Sequence, residues 1–420
     1  MKIKKAHEQL MENTLNEATR SLGQLDYPLH LVRADEFVKE KQLMRHEVLR
    51  NMHRLTVLDN LVDVEAFMEA RNQVVFFSHQ WTAFDVPDPN NTQYEAMVDA
   101  LHELAKQTGW DSLEPVFVWV DYSCIPQANR SIQNLAIRSL AVYASSATHF
   151  VVIAPDTPHT NVSDMVCDLD TYQRRMWCRA EQVCHSMRNG TDGMFLATTK
   201  PGDSGDVNVC AVRPDFFRDS LRVFDGELTC CRFEHKGMES CDRQSLVVPI
   251  LGLYGELYRA AYEGGKEGGA NMSVVKDFLE KIETQQEAIF PRTFKRVMWR
   301  KNKRITEEVL LFGNLIERMR ERIKKGKMYV LQERGGTESS KSEPVLTHGS
   351  NFIRHGHGGK TEQVVDIPRK NFARHGSVEL SKDEAAQAAT ILSGKGTAVD
   401  DTVKEVEIAT QAEEPSHEKK

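Results

Sequence analysis

Trp177 and Glu181 stand four residues apart in the octapeptide Arg174-Arg175-Met176-Trp177-Cys178-Arg179-Ala180-Glu181. On a helix that spacing puts both on one face. A large aromatic and a carboxylate presented together at the rim of a sheet can hold a flat, sugar-bearing ligand. The plainer alternative is a core tryptophan and a glutamate that is solvated or paired with a neighbouring arginine. Other polar groups favour the first reading. Ser78 and His79 close the apolar run Val74-Val75-Phe76-Phe77 and lead into Gln80-Trp81, while Asp121 closes Val116-Phe117-Val118-Trp119-Val120. Phe77, Trp81 and Trp177 are candidates to pack beside such a ligand, and Ser78, His79 and Asp121 to bind its polar atoms.

These residues need a scaffold, and the pattern around them supplies one. Short apolar runs of the buried-strand kind end near residues 77, 120 and 154, with a fourth at Met194-Phe195-Leu196-Ala197. Between them lie helical periodicities: Met97, Val98, Leu101, Leu104 and Ala105, then Ile132, Leu135, Ala136, Leu140 and Tyr143. Strands alternating with helices imply right-handed crossovers and a mostly parallel sheet. In such sheets ligands collect beyond the carboxyl ends of the strands, where four separate segments deliver the polar residues above. The fold class is therefore α/β, with flanking helices.

The rest of the chain divides around that unit. Residues 1–69 read as a helical N-terminal extension, 70–262 as the α/β domain, and 263–332 as a basic helical region. Residues 333–420 read as a disordered tail, poor in aromatics and rich in Gly, Ser, Thr, Lys and Glu. Within 221–231, Asp225-Gly226 reads as a hairpin turn, and Gly264 to Gly269 as a flexible linker. Residues 292–327 carry thirteen Lys and Arg against four Glu, about +9. They read as a helical hairpin with a solvated basic face, the alternative being an acidic partner or an anionic membrane surface. In the tail, Asn351-Phe352-Ile353-Arg354-His355-Gly356 recurs as Asn371-Phe372-Ala373-Arg374-His375-Gly376. Two copies would give a docking peptide avidity.

Composition bounds the function. The net charge of −7 argues against general nucleic-acid binding. No apolar run approaches the roughly 20 residues that cross a membrane, and the first residues lack a secretory apolar core. All eight cysteines fall between Cys124 and Cys241 at irregular spacings, so reduced thiols in a cytoplasmic protein are expected. Cys230, Cys231, His235 and Cys241 lack the paired spacing of structural zinc sites. Adjacent cysteines on a strand would also point to opposite faces, so no metal is expected. Neither G-x-G-x-x-G nor a P-loop is present, which weighs against a dehydrogenase or an NTPase.

Taken together, the segments from Val74 to Val183 resemble a TIR domain or the related heterokaryon-incompatibility (HET) domains. A first strand ends in Ser78, and a second ends in Asp121 before a loop carrying Pro126. The helix with Ala136-Ile137-Arg138-Ser139 is similar to the family's "aI..S" helix. Trp177-Cys178-Arg179-Ala180-Glu181, after Phe150-Val151-Val152-Ile153, looks like its WCxxE. Trp119-Val120-Asp121-Tyr122-Ser123-Cys124-Ile125-Pro126-Gln127 is close to the "WiD..CI.Q" of HET domains. The resemblance covers about a quarter of the chain. Three departures stand out: a long segment from Pro155 to Tyr172, Ser78-His79-Gln80-Trp81 in place of Ser-Phe or Ser-Tyr, and no Arg-Gly in the loop.

The resemblance implies a flavodoxin-like sheet and two trades. One is hydrolysis of NAD or NADP at the nicotinamide–ribose bond in intracellular signalling or a stress or incompatibility response, with Glu181 as the catalytic carboxylate and no further cofactor. Nicotinamide leaves as a neutral molecule, so no general acid is required. One carboxylate can stabilise the oxocarbenium-like ribose. The other trade is that of a non-catalytic adaptor that self-associates, here through the loop from Asp121 to Arg130.

Overall fold

A computed structural model describes residues 2–326, apart from Leu22, Pro201, 203–206, 214–220, Gly237, Glu239 and 264–271. The expected linker and tail, with its repeated hexapeptide, lie outside the described residues. Eleven strands appear among them: β1 (Leu29–Arg33), β2 (Leu55–Leu58), β3 (Gln73–His79), β4 (Val116–Trp119), β5 (His149–Ala154), β6 (Thr157–Pro158), β7 (Val166–Cys167), β8 (Met194–Thr199), β9 (Val207–Ala211), β10 (Thr293–Arg300) and β11 (Lys303–Leu310). Seven form one sheet in the order β2-β1-β4-β3-β5-β8-β9. The central four, β4-β3-β5-β8, are parallel, and β1, β2 and β9 run antiparallel at the edges.

The parallel strands are the continuous apolar runs of the sequence, as expected where helices cover both faces. Six of the seven residues of β3 are buried. Register alone stacks three aromatics across the sheet. Phe76 pairs with Trp119 on one side and Phe150 on the other, and its ring lies 4.0 Å and 5.1 Å from theirs. The crossovers are Thr92–Thr108 between β3 and β4, Arg130–Arg138 with Leu140–Ser146 between β4 and β5, and Met176–Asn189 between β5 and β8. The expected α/β architecture with a mostly parallel sheet and flanking helices is present.

Three expectations fail, each for a local reason. Residues 1–69 are not all helical: Lys2–Arg20 is a helix, but β1 and β2 extend the main sheet through Val32↔Val118. Leu29-His30-Leu31-Val32 is too short a buried run to show a period against its helical neighbours. Residues 221–231 form a 3-10 turn (Val223–Asp225) and a helical turn (Thr229–Arg232) instead of a hairpin.

The basic region holds β10 and β11 as well as helices. Its hairpin turns at Lys301 and Asn302, both at positive φ (49° and 59°), the conformation of a two-residue type I′ loop. Cross-strand Arg296 and Glu307 are register partners and form an ion pair. Burial alternates along both strands, but runs such as Val297-Met298-Trp299 and Glu307-Glu308 break any alternation of residue type, so the sequence shows no period of two.

The helices at the two ends of the described chain meet. Met11, Leu15 and Ala18 of Lys2–Arg20 are buried, where that helix packs against Val247–Glu263 and Leu315–Lys324. Glu8–Arg318 and Glu12–Arg322 ion pairs join the first helix to the last. Among the described residues, no helix is long and apolar enough to cross a membrane.

Candidate active site

The end of β3 is where the chemistry gathers. Alternation along a strand sends consecutive side chains to opposite faces, so Ser78 and His79 serve two different clusters. On one face, the Ser78 hydroxyl donates to Glu181 Oε2 at 2.5 Å and lies 2.7 Å from the Tyr172 hydroxyl. With the carboxylate ionised, the relay runs from Tyr172 to Ser78 to Glu181. Burial pushes the Glu181 carboxyl up to about 8, with the nearby Asp121 charge adding to the rise. The Ser78 hydrogen bond, His79 and Arg175 pull the other way. Tyr172 is itself driven well above its usual range by burial.

On the other face, the His79 ring is held from both nitrogens. Nδ1 meets Gln93 Oε1 at 2.5 Å and Nε2 meets Asp121 Oδ1 at 3.0 Å. Two acceptors on one ring favour the doubly protonated imidazolium. Burial opposes that charge, but Asp121 and Gln93 outweigh it and raise the His79 pKa. Asp121 is correspondingly lowered. Burial works against its charge, and His79, the Trp81 indole N–H (2.9 Å) and the Tyr122 backbone N–H (2.6 Å) overcome it.

Beside these clusters opens a cleft of about 120 Å³, lined by Trp81, Phe84, Thr171, Arg174, Arg175 and Arg232 among others. Trp81 joins the two features, facing the cleft while bonding Asp121. The helix Leu169–Arg174 positions the near wall. Asp168 caps it in a reciprocal pairing with Thr171, and the Gln80 side chain donates to Asp168 O and Thr171 Oγ1. The far wall is Glu227 to Arg232. It is pinned to the start of the Glu181 helix where Met176 N donates to Glu227 O and Glu227 N to Arg174 O. Arg232 pairs with Glu227, which also lines the cleft, so the net positive charge comes from Arg174 and Arg175; with the aromatic surface it suits an anionic, base-bearing ligand.

The candidate residues therefore separate. Glu181, Ser78, His79, Asp121 and Trp81 come together. Phe77 does not: it shares a face of β3 with His79 but is buried deeper in the core, its ring 6.1 Å from Phe37. Trp177 packs partly buried against the core, and of the candidates only Trp81 lines the cleft: Glu181, Ser78, His79, Asp121 and Trp177 lie behind it. Ser78 and His79, expected to reach a ribose or phosphate, are buried with their polar atoms already bonded within the protein. Sequence reasoning missed Tyr172, Gln93 and the arginines. Arg174-Arg175 directly before the helix was the available signal; nothing local marked Gln93.

The loop from Asp121 to Arg130 is exposed only at Ala128, Asn129 and Arg130. Behind that tip, the Glu47 carboxylate accepts the Gln127 and Ala128 backbone N–H groups, both at 2.8 Å. Elsewhere, Cys230, Cys231, His235 and Cys241 bring their ligand atoms together. The argument from opposite strand faces does not apply, because Cys230 and Cys231 sit on a helical turn. In comparison with known proteins, no family model, curated protein or solved structure matches the chain.

Proposed function

We propose that the protein hydrolyses the N-glycosidic bond between nicotinamide and ribose in NAD or NADP, with Glu181 as the essential carboxylate. The observation that carries this reading is the Tyr172–Ser78–Glu181 relay at the carboxyl end of a central parallel strand. Taken in chain order, the four parallel strands lie 2-1-3-4, like the first four in the order 2-1-3-4-5 of a flavodoxin-like sheet, with antiparallel β9 where the fifth would stand. Its topological switch point falls between β3 and β5, beside the relay. This supports the TIR-like reading.

In the reaction, the C1′–N bond breaks and its electron pair neutralises the nicotinamide ring. Water adds at C1′ and releases a proton. Glu181 stabilises the positive charge that develops on the ribose. Ser78 and Tyr172 orient that carboxylate, Asp121 and His79 hold Trp81 at the cleft edge, and Arg174 and Arg175 meet the diphosphate. A cationic nicotinamide ring beside Glu181 favours its ionised form, so binding draws off the proton that burial retains.

One observation favours a second reading, a self-associating adaptor. A cleft of about 120 Å³ is smaller than the roughly 300–1,000 Å³ typical of small-molecule sites. A dinucleotide would need its walls to part. The full chain is the right material for the test, since cutting near residue 68 would strip β1 from the edge of β4. Nicotinamide release from NAD and NADP is measured for the parent and Glu181→Gln. Release by the parent and not by the folded variant supports hydrolysis. No release by the parent across pH and protein concentration refutes it and leaves the adaptor, acting through the exposed tip of the Asp121 loop.

A further inference from the structure

Cys230 and Cys231 share one helical turn, Thr229–Arg232, and Cys241 begins the next, Asp242–Ser245. Between them the chain doubles back through Glu234 and His235, both at positive φ (49° and 53°). Two successive non-glycine residues in that region are costly unless the surroundings enforce them. The result aims four ligand atoms at one point. Cys230 Sγ and Cys241 Sγ are 3.8 Å apart, Cys231 Sγ and Cys241 Sγ 3.6 Å, and Cys231 Sγ and His235 Nε2 3.7 Å. All four lie within 4.8 Å of one another.

Zinc–sulfur bonds of about 2.3 Å and zinc–nitrogen bonds of about 2.0–2.1 Å fix the edges of a tetrahedral site at roughly 3.8 Å for S···S and 3.6 Å for S···N. The three separations above match those edges. We infer that Cys230, Cys231, His235 and Cys241 form a structural zinc site of three thiolates and one imidazole. Four protein ligands leave no position open for water or substrate, so the role is architectural.

The surroundings of the ligands fit that role. His235 Nδ1 bonds to the Val297 carbonyl oxygen at 2.7 Å, which leaves Nε2 as the metal-facing nitrogen. The Cys241 sulfur accepts the Gln244 backbone N–H, while its own backbone N–H donates to the Gln244 side chain at 3.2 Å. The Val297 contact is the structural reason for the site. Among the described residues, strands β10 and β11 pair only with each other, and a lone two-stranded hairpin is marginal in water. His235, through Val297, and Glu234, through Trp299 Nε1 (2.7 Å) and Arg304 Nε (2.8 Å), fasten that hairpin to the body. The same helical turn supplies Thr229 and Arg232 to the cleft wall, so the metal also sets the position of that wall.

The test uses the full chain purified without a metal-affinity step, with bound metal counted by inductively coupled plasma mass spectrometry. One zinc per chain is expected, and exchange for cobalt should give the intense visible bands and thiolate charge transfer of a tetrahedral centre with three sulfur ligands and one nitrogen. His235→Ala should lose the zinc. His235→Cys should recover it with the cobalt bands shifted toward those of an all-thiolate centre. A parent that takes up neither zinc nor cobalt overturns the inference, as does a cobalt spectrum without thiolate charge transfer. Retention of the full zinc equivalent by Cys230→Ser/Cys241→Ser does so too. The parent's cobalt spectrum decides the matter even if a variant fails to fold.

Discussion

Replacing Glu181 by Gln keeps the shape and an acceptor for the Ser78 hydroxyl while removing the titration. The folded carboxyl sits at about 8 against an ordinary 4.5. A group whose proton affinity is higher folded than unfolded stabilises most when protonated. Its contribution is present in full below about pH 4.5, erodes while the unfolded carboxyl ionises and the folded one does not, and is gone once pH has passed about 8. At 1.36 kcal/mol per pH unit that span amounts to about 4–5 kcal/mol. Because Glu181 is only half-buried, water softens it to roughly 3 kcal/mol. Glutamine contributes no such loss. The stability of Glu181→Gln relative to the parent should therefore climb by about 3 kcal/mol between about pH 5 and 8.5, then level off. Urea unfolding at a series of pH values reads this directly, and thermal midpoints should diverge by about 5–10 °C. Parallel pH profiles for the two proteins would refute the reasoning. In the proposed reaction, the same ionisation of the free enzyme makes kcat/KM rise with pH through about 8.

Three further outcomes follow from the site and its support. Asp121→Ala strips the buried His79 ring of its counter-charge and should cost about 2–4 kcal/mol in urea unfolding; a change under about 0.5 kcal/mol would mean that His79 is neutral in the folded protein. Arg174→Gln and Arg175→Gln should each weaken ADP-ribose binding about tenfold by calorimetry, the loss of one charge-assisted bond. Unchanged affinity would place the diphosphate elsewhere. Gly226→Ala would set its Cβ 2.5 Å from Met176 Cα, and should cost about 1–3 kcal/mol by urea unfolding; an unaltered midpoint would show that the two segments can separate freely.

The sequence revealed the parallel core well because strands buried on both faces are unbroken apolar runs, as Val74 to Phe77 and Phe150 to Ala154 are. Their order could not be read from one-dimensional periodicity, and neither could strand β1, which lies between β2 and β4 and whose partner β4 is more than eighty residues on. At the site, residue types at strand ends pointed to Ser78, His79 and Asp121, and helical spacing from Trp177 pointed to Glu181. They did not reveal that Ser78 and His79 face opposite sides with their hydrogen bonds already made. Gln93 is held against His79 by packing of the Thr92–Thr108 helix on the sheet, and nothing in its neighbours announces that. The spacing of Cys230, Cys231, His235 and Cys241 hides their convergence, because the segment reads as strand. A helical turn followed by a left-handed reversal brings the same residues to one point.

The packing of the first helix on the last sets a schedule for synthesis. Met11, Leu15 and Ala18 gain their cover from Val247–Glu263 and Leu315–Lys324. At roughly 5–20 residues per second, the apolar face of the first helix waits on the order of 10–50 seconds for those partners to emerge from the ribosome. Meanwhile the parallel strands can already be pairing. Lys2–Arg20 is made well before the helices that cover it, and until they emerge it offers chaperones an amphipathic surface.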